Sequence, residues 1–141
     1  MRVKDLMTPK PVTVPPATTV LDARQTMRER RFRHLLVTEG DLLAGIVTDR
    51  DIRLNLPSPA SSLSIWEMNY LLARLTVAEV MSRAVITVDP ERDARDAARI
   101  MLEEKIGALP VLDETRLVGI LTETDVVRAF AGAPEPAAAA H

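Results

Sequence analysis

The chain has 141 residues, of which 47% are hydrophobic and 27% charged, a composition typical of a globular protein of one or two small domains. Its net charge of −2 provides no broad basic surface for nucleic acid or an acidic membrane, and the lack of cysteine excludes disulfides, thiolate metal sites and cysteine nucleophiles. No apolar run approaches the ~18 residues that span a bilayer, and the first residues lead into no signal-peptide core. We therefore expect a cytoplasmic protein with no membrane or nucleic-acid partner.

The first predicted elements are a lead helix, a strand and a longer helix. The lead helix lies within 3–8, the strand at 12–14, and the second helix runs from Thr19 to about Arg31. Thr19 with a carboxylate three positions on is a capping pattern, and cations near the other end favour the negative helix terminus. The stripe expected to face the core consists of Val20, Ala23 and Met27.

Two paired strands and a final helix complete this pattern. The apolar runs 35–37 and 42–47 are separated by the polar residues 39–41, which favours strands joined by a tight turn. The final helix is predicted to begin at Thr48.

A turn-rich segment and one more helix follow. Pro and Ser dominate 56–62, and Ser64 with Glu67 has the capping-box spacing that starts a helix through about residue 72 or 73. We expect its apolar face either to pack on its own chain or to meet a partner subunit, for which the only Trp and the only Tyr are suitable anchors. That face is predicted to comprise Ile65, Met68, Leu71, Leu72 and Leu75.

The same order of elements then recurs. Segment 3–53 aligns on 77–127 without a gap, and about a third of the positions are identical. The second copy has a helix from Asp93 to about Lys105, paired strands and a last helix from Thr122. We therefore predict two homologous modules, each too small to stand alone comfortably, that share one core. The expected bounds are 1–56 and 76–131, with a helical linker at 57–75 and a disordered tail at 132–141.

A Gly-x-x-Thr-x-x-Asp motif occurs at 45–51 and again at 119–125, each time between a strand and a helix. Thr-x-x-Asp is itself a helix-start signal, so each copy can be a cap and nothing more. However, the repeated Gly suggests that another group approaches the backbone closely. A carboxylate beside helix amides can also accept two hydrogen bonds from a ribose diol. The two roles are compatible, so we predict that Asp binds a ribose while Thr and nearby cations bind an anionic tail.

The sequence resembles a tandem pair of CBS (cystathionine β-synthase) domains, a Bateman module. The resemblance rests on the duplication, on the two Gly-h-h-Thr-x-x-Asp junctions (h, apolar) and on the Ala-Leu-Pro-Val run at 108–111. More narrowly, the chain resembles the acetoin-utilisation AcuB type in the runs 33–35 and 48–51 and in the long linker before 75–77. The resemblance does not extend to the ACT domain that often follows the CBS pair in proteins of that type. The resemblance implies an α+β fold of two CBS domains, each a short helix followed by β-α-β-β-α, packed with pseudo-twofold symmetry.

The resemblance also implies two clefts between the modules that bind adenosine-containing ligands, namely AMP, ADP, ATP or S-adenosylmethionine. Such a ligand is regulatory, and neither an obligatory cofactor nor a metal is expected. The residues carried over to the first cleft are Thr122, Asp125, Thr13, Val14, Arg33 and His34. Those carried over to the second are Thr48, Asp51, Thr87, Val88, Ile106, Gly107 and Ala108.

The two modules differ at the positions expected to meet an anionic tail. Arg33 and His34 align with Gly107 and Ala108, and only the first pair can contact a phosphate. We therefore predict unequal sites, with the cleft of Asp125 the better phosphate binder. In the alternative, Arg33 and His34 are solvated cations at a helix end. Solvated helix faces are also expected to hold Arg28, Arg30, Arg31, Arg50 and Arg53, with Arg50 the most suitable to extend a phosphate path.

The favoured function is a freestanding regulatory module that signals through a homodimer rearrangement or an unidentified effector protein. The alternative is a structural or interaction scaffold with vestigial clefts. An enzyme is disfavoured because one useful imidazole, no cysteine and no dedicated metal-binding cluster provide few catalytic groups.

Overall fold

The computed structural model of the chain describes residues 1–56 and 63–132. The predicted tail beyond Gly132 and the Pro- and Ser-rich residues 57–62 lie outside the described residues. In chain order the elements are α1 (Val3–Leu6), β1 (Thr8–Pro9), β2 (Thr13–Val14), α2 (Val20–Arg30), β3 (His34–Glu39), β4 (Leu42–Thr48), α3 (Asp49–Leu54), α4 (Ile65–Arg74), α5 (Val77–Val80), α6 (Ala94–Glu104), β5 (Ala108–Asp113), β6 (Arg116–Thr122) and α7 (Glu123–Ala131).

The chain forms two compact units that do not coincide with the two sequence repeats. The first-repeat unit is Val12–Ala84, and the second-repeat unit combines Met1–Pro11 with Val85–His141. The first residues of each repeat, Met1–Pro11 and 77–84, are called the lead segments here. Each lead segment belongs to the unit built from the other repeat, an arrangement we call the exchange. The expected bounds 1–56 and 76–131 are those of the sequence repeats, and as domain bounds they stay a prediction.

Backbone hydrogen bonds and burial explain the exchange. In the second-repeat unit the Val3 N–H donates to the Arg92 carbonyl at 2.8 Å, and Thr8 pairs with Ile120 in an antiparallel ladder. The aligned residues of the first-repeat unit repeat this bonding: the Val77 N–H donates to the Thr18 carbonyl at 2.8 Å. Val3 and Val77 are both fully buried in these positions, so each lead segment completes the core in which it lies.

Each unit contains a three-stranded sheet. The first-repeat sheet has the order β2-β3-β4, with β2 parallel to β3 and β4 antiparallel to β3. The second-repeat sheet has the order β1-β6-β5, with both neighbours antiparallel to β6. Residues 86–88 align with the predicted strand at 12–14 but form only a single parallel bridge, between Val88 and Val111.

The predicted helix ends are confirmed because short local patterns set them. Thr19, Asp93 and Ser64 are the N-caps of α2, α6 and α4, and each side chain accepts a backbone N–H. The C-caps of α2 and α6 are Arg31 and Lys105, which adopt left-handed backbone angles with φ of 60° and 55°. Helix α4 runs to Arg74, slightly farther than predicted.

Each unit contains a hydrophobic cluster of buried side chains. The first-repeat cluster includes Leu35, Val37 and Val47 of the sheet with Leu72 of α4. The larger side chains of the second-repeat cluster are Val3, Val88, Met101, Leu109, Val111 and Leu121. Each cluster draws on a lead segment from the other repeat, which gives each unit a core of its own.

Helix α4 packs on its own chain through part of its predicted face. Leu72 is fully buried, and Met68 and Leu75 pack against the same cluster. Ile65 and Leu71 were also predicted to lie on this face but are exposed. Packing on its own chain therefore uses Met68, Leu72 and Leu75. Contact of Ile65 and Leu71 with a partner subunit stays a prediction.

Neither a membrane span nor a metal cluster is found in the part of the chain that the structure describes. No helix there is long and apolar enough to cross a bilayer. The same residues contain no group of three or more His, Asp or Glu side chains that could hold a metal ion.

Candidate functional site

The two Thr-x-x-Asp junctions are capping boxes at the start of α3 and α7. At the first, the Asp51 N–H donates to Thr48 Oγ1 at 3.1 Å, and the Thr48 N–H donates to Asp51 Oδ2 at 2.9 Å. At the second, the Asp125 N–H donates to Thr122 Oγ1 at 3.3 Å, and the Thr122 N–H donates to Asp125 Oδ2 at 2.8 Å. The helix-start role of the motif is therefore real in both copies, and it holds each carboxylate in a fixed position.

In the first-repeat unit, the structure brings four of the predicted residues together at one junction. His34 lies opposite Thr48 in the β3–β4 ladder, so their side chains share a face of the sheet. The Asp49 N–H donates to the Arg33 carbonyl at 3.2 Å, which places the backbone of Arg33 beside the start of α3. Arg33 is exposed, and Thr48 and Asp51 are half-buried.

The strand residues Thr13 and Val14 lie in the same unit, one strand away from this junction. They pair with Leu36 and Val37 in the parallel β2–β3 ladder. Since β3 also carries His34, one strand links these residues to the junction.

The corresponding junction of the second-repeat unit has no cationic neighbour from β5. Ala108 lies opposite Thr122, and the Glu123 N–H donates to the Gly107 carbonyl at 3.0 Å. Ile106 is partly buried against the core of this unit, and the Val88 N–H donates to the Pro110 carbonyl at 3.1 Å.

The remaining residue, Thr87, is half-buried in the same unit, next to Val88. The residues expected in each cleft are divided between the two units. Their assembly into clefts stays a prediction.

The two carboxylates differ in exposure and in bonding. Asp125 is 6% exposed, while Asp51 is half-buried. Oδ2 of Asp125 also accepts the Thr122 hydroxyl at 3.0 Å, and its Oδ1 accepts the Thr8 hydroxyl at 3.4 Å and lies 3.6 Å from an Arg128 nitrogen. Asp51 Oδ1 has no hydrogen-bond partner among residues 1–56 and 63–132. One junction is thus closed by its own unit, and the other keeps a carboxylate oxygen available.

The motif glycines lie against the lead segments. A Cβ at Gly45 would lie 2.6 Å from Met81 Sδ and 2.8 Å from the Ser82 carbonyl oxygen. A Cβ at Gly119 would lie 2.6 Å from Met7 Sδ and 3.0 Å from the Thr8 carbonyl oxygen. The close approach predicted from the repeated Gly is therefore real, but the approaching group is protein.

The arginines predicted on solvated helix faces are exposed. Arg53 pairs with Asp49 at 3.5 Å across one helical turn, and both side chains are more than half exposed. The others, all exposed, are Arg28, Arg30, Arg31 and Arg50.

Comparison with known proteins identifies the family. The family profile described as "CBS domain" matches residues 3–58 and again 77–132, which together make up most of the chain. The chain belongs to the CBS-domain family. The two matched ranges are the two sequence repeats, and the predicted CBS pair with its α+β fold is confirmed.

Solved structures of CBS-domain pairs are similar over nearly the whole chain. AcuB from Vibrio cholerae is 31% identical with a TM-score of 0.78, and the match covers 94% of this chain and 91% of that one. CBSX2, solved in complex with AMP, is 33% identical with a TM-score of 0.76, covering 93% and 96%. The CBS-domain pair of protein MJ0100, solved with 5-methylthioadenosine and S-adenosyl-L-methionine, is 28% identical with a TM-score of 0.75, covering 94% and 97%.

Two residues that bear on the CBS junctions were missed by the sequence analysis. Thr8 lies far from Asp125 in sequence, and its contact depends on the exchanged lead segment. Arg128 gave a usable signal, because it aligns with Leu54 in the duplication and so marks a difference between the junctions.

Proposed function

We propose that this CBS-domain pair is a regulatory module that binds an adenosine-containing ligand at its Thr-x-x-Asp junctions. The observation that carries the proposal is the capping box, which fixes an aspartate carboxylate at the end of β4 in an orientation set by Thr48. A carboxylate held in this way can accept both hydroxyls of a ribose without having to be ordered on binding. The complexes of CBSX2 with AMP and of MJ0100 with adenosyl ligands support this ligand class.

The proposal assigns a role to each part of the ligand. The ribose diol would donate to an Asp carboxylate, and the Thr hydroxyl would contact the anionic tail together with Arg33 and His34. Residues from the strands and from the segments before them would pack on the base. In this proposal the wider ligand-contacting set is Thr13, Val14, Thr87, Val88, Ile106, Gly107 and Ala108.

CBS-domain pairs are generally regulatory, not catalytic, so the output of binding has to reach another molecule. We propose that it does so through a homodimer or through a separate effector protein. A ligand can transmit a signal only if it binds one arrangement of these components more tightly than another.

A scaffold with no ligand is a second candidate, and two observations favour it. The Thr and Asp side chains already satisfy each other as helix caps, and the motif glycines are explained by Met81 and Met7. Under this alternative, removing the aspartates would weaken the helix starts and change nothing else.

Thermal unfolding with and without ligand distinguishes the two candidates. AMP and S-adenosylmethionine are each added at millimolar concentration, and a ligand at 100 times its Kd stabilises the folded state by about 2.7 kcal/mol. The sensor predicts a higher Tm with at least one ligand, and loss of that shift in the D51N/D125N double variant. The scaffold predicts no shift in any variant.

Asp22→Asn is the matched control. Asp22 also stands three residues after a capping threonine, Thr19, at the start of α2, but outside the Gly-x-x-Thr-x-x-Asp motif. D22N is expected to keep the ligand-induced rise in Tm. Loss of the rise in D22N would mean that general destabilisation, not a lost ribose contact, explains the double variant.

A further inference from the structure

We propose that Asp125 is a positioning residue that holds the lead segment Met1–Pro11 in the second-repeat unit, and that Thr8 and Arg128 keep its carboxylate from accepting a ribose diol. The inference deepens the proposed function, on which it rests, because it leaves the diol to Asp51. The duplicated aspartates would then have different tasks in one chain.

The contacts of Asp125 carry the first half of this inference. Oδ2 already accepts the backbone N–H and the hydroxyl of Thr122, and Oδ1 faces the Thr8 hydroxyl at 3.4 Å and Arg128 at 3.6 Å. The last two distances are long for hydrogen bonds, but the carboxylate is 6% exposed, and shielding from water strengthens such contacts. A diol would have to displace Thr8 or Arg128 from the carboxylate.

The first-repeat unit lacks both of these contacts. Leu54 replaces Arg128 in the alignment, and it is 71% exposed. Ser82 replaces Thr8, and its backbone pairs with Ile46 just as Thr8 pairs with Ile120. However, Ser82 makes no hydrogen bond to Asp51 among the residues described in the structure. The lead segments therefore occupy matching places, and only their side-chain contacts to the aspartate differ.

The cations of the first-repeat unit favour the same assignment. His34 lies opposite Thr48, and the Arg33 carbonyl accepts the Asp49 N–H, so both residues adjoin the Thr48–Asp51 junction of their own unit, where we place the anionic tail. The sequence analysis paired Arg33 and His34 with Asp125 and predicted that the cleft of Asp125 binds phosphate better. We instead assign the better phosphate site to Asp51.

Calorimetry with AMP and with S-adenosylmethionine tests which aspartate binds. D51N is expected to weaken binding by about tenfold or more, the usual cost of losing a hydrogen bond to a charged group. D125N is expected to stay within about threefold of the wild type. T8V serves if D125N fails to fold: it removes one of the two contacts that cover the Asp125 carboxylate, so it is expected to bind AMP at least as tightly as the wild type, and weaker binding would contradict the inference.

Hydrogen exchange tests the positioning role without any ligand. The amides of Val3 and Lys4 donate to carbonyls of the second repeat, so their protection reports the lead segment directly. T8V and D125N are expected to speed their exchange about tenfold, and T8S to restore protection because it keeps the hydroxyl. The aligned amides of Val77 and Ala78 are the internal control and are expected to stay unchanged.

Each outcome decides the inference. Equal loss of affinity in D51N and D125N would overturn the division of tasks, and unchanged exchange in T8V would overturn the positioning role. If the wild type binds neither ligand, the proposed function fails, while the exchange data still decide whether Asp125 holds the segment.

Discussion

At the scale of single residues, Gly45 and Gly119 are required by the lead segments that cross them. We predict that G45A and G119A each lower the free energy of unfolding by about 1–3 kcal/mol, the usual cost of overpacking. The added Cβ would lie under 3.0 Å from Met81 Sδ in the first case and from Met7 Sδ in the second. Urea unfolding measures the loss. An unchanged midpoint in both variants would show that the segments shift freely.

Gly40→Ala separates crowding from backbone strain in the same measurement. Gly40 has φ of +61°, and a Cβ there would meet nothing within 4 Å. Its substitution therefore tests the left-handed backbone alone, expected to cost about 1–2 kcal/mol. Shortening the Met81 side chain in G45A, or the Met7 side chain in G119A, should recover part of the lost free energy of unfolding. Neither change should stabilise G40A.

The sequence located both aspartates and offered one difference between them, Arg128 aligned with Leu54, but it could not show the contact with Thr8. The motif is the same at 45–51 and 119–125, and local patterns report the cap that both share. The difference without a sequence signal comes from Thr8, which reaches Asp125 only because the lead segment packs in the second-repeat unit. A contact between residues so far apart in sequence has no local signature.

At the scale of elements, α4 offers a paired test on one helix. L72A is predicted to lower the free energy of unfolding by about 2–5 kcal/mol because Leu72 is fully buried in the first-repeat cluster. W66A is predicted to change it by less than about 0.5 kcal/mol because Trp66 is 81% exposed. Chemical denaturation of both variants checks the pair, and similar losses would contradict the packing of α4 described above.

The helices were predictable because their ends depend on neighbouring residues. Ser64 and Glu67 satisfy each other's backbone N–H groups, so the start of α4 is determined within four positions. The buried arc was less predictable, since Ile65 and Leu72 fit the same periodic pattern and only contacts with the rest of the unit separate them. Sequence periodicity identifies an amphipathic helix better than it defines the buried residues.

At the scale of the whole molecule, the exchange of lead segments could not be read from the sequence. Val3 and Met7 align with the identical residues Val77 and Met81. Either lead segment therefore suits either unit by composition and pattern. The choice depends on the backbone pairing of Thr8 with Ile120 and of Ser82 with Ile46, which is tertiary information.

The exchange predicts which fragments of the chain can fold. Fragment 12–84 contains the whole first-repeat unit, including Leu72 and Val77 of its core, and we expect it to unfold cooperatively in urea. Fragment 1–56 follows the sequence repeat, lacks both residues, and is expected to show no cooperative transition. Circular dichroism during denaturation measures both. Cooperative unfolding of 1–56 alone would contradict the exchange.

The position of Met1 has a practical consequence for labelling experiments. The Ala94 N–H donates to the Met1 carbonyl at 3.0 Å, so the amino-terminal end is fastened to the start of α6. A fluorophore or affinity tag fused ahead of Met1 would precede the first repeat in the sequence. In the folded protein it would lie beside the second-repeat unit. Energy-transfer pairs designed from the linear order of the repeats would therefore report the wrong half of the protein.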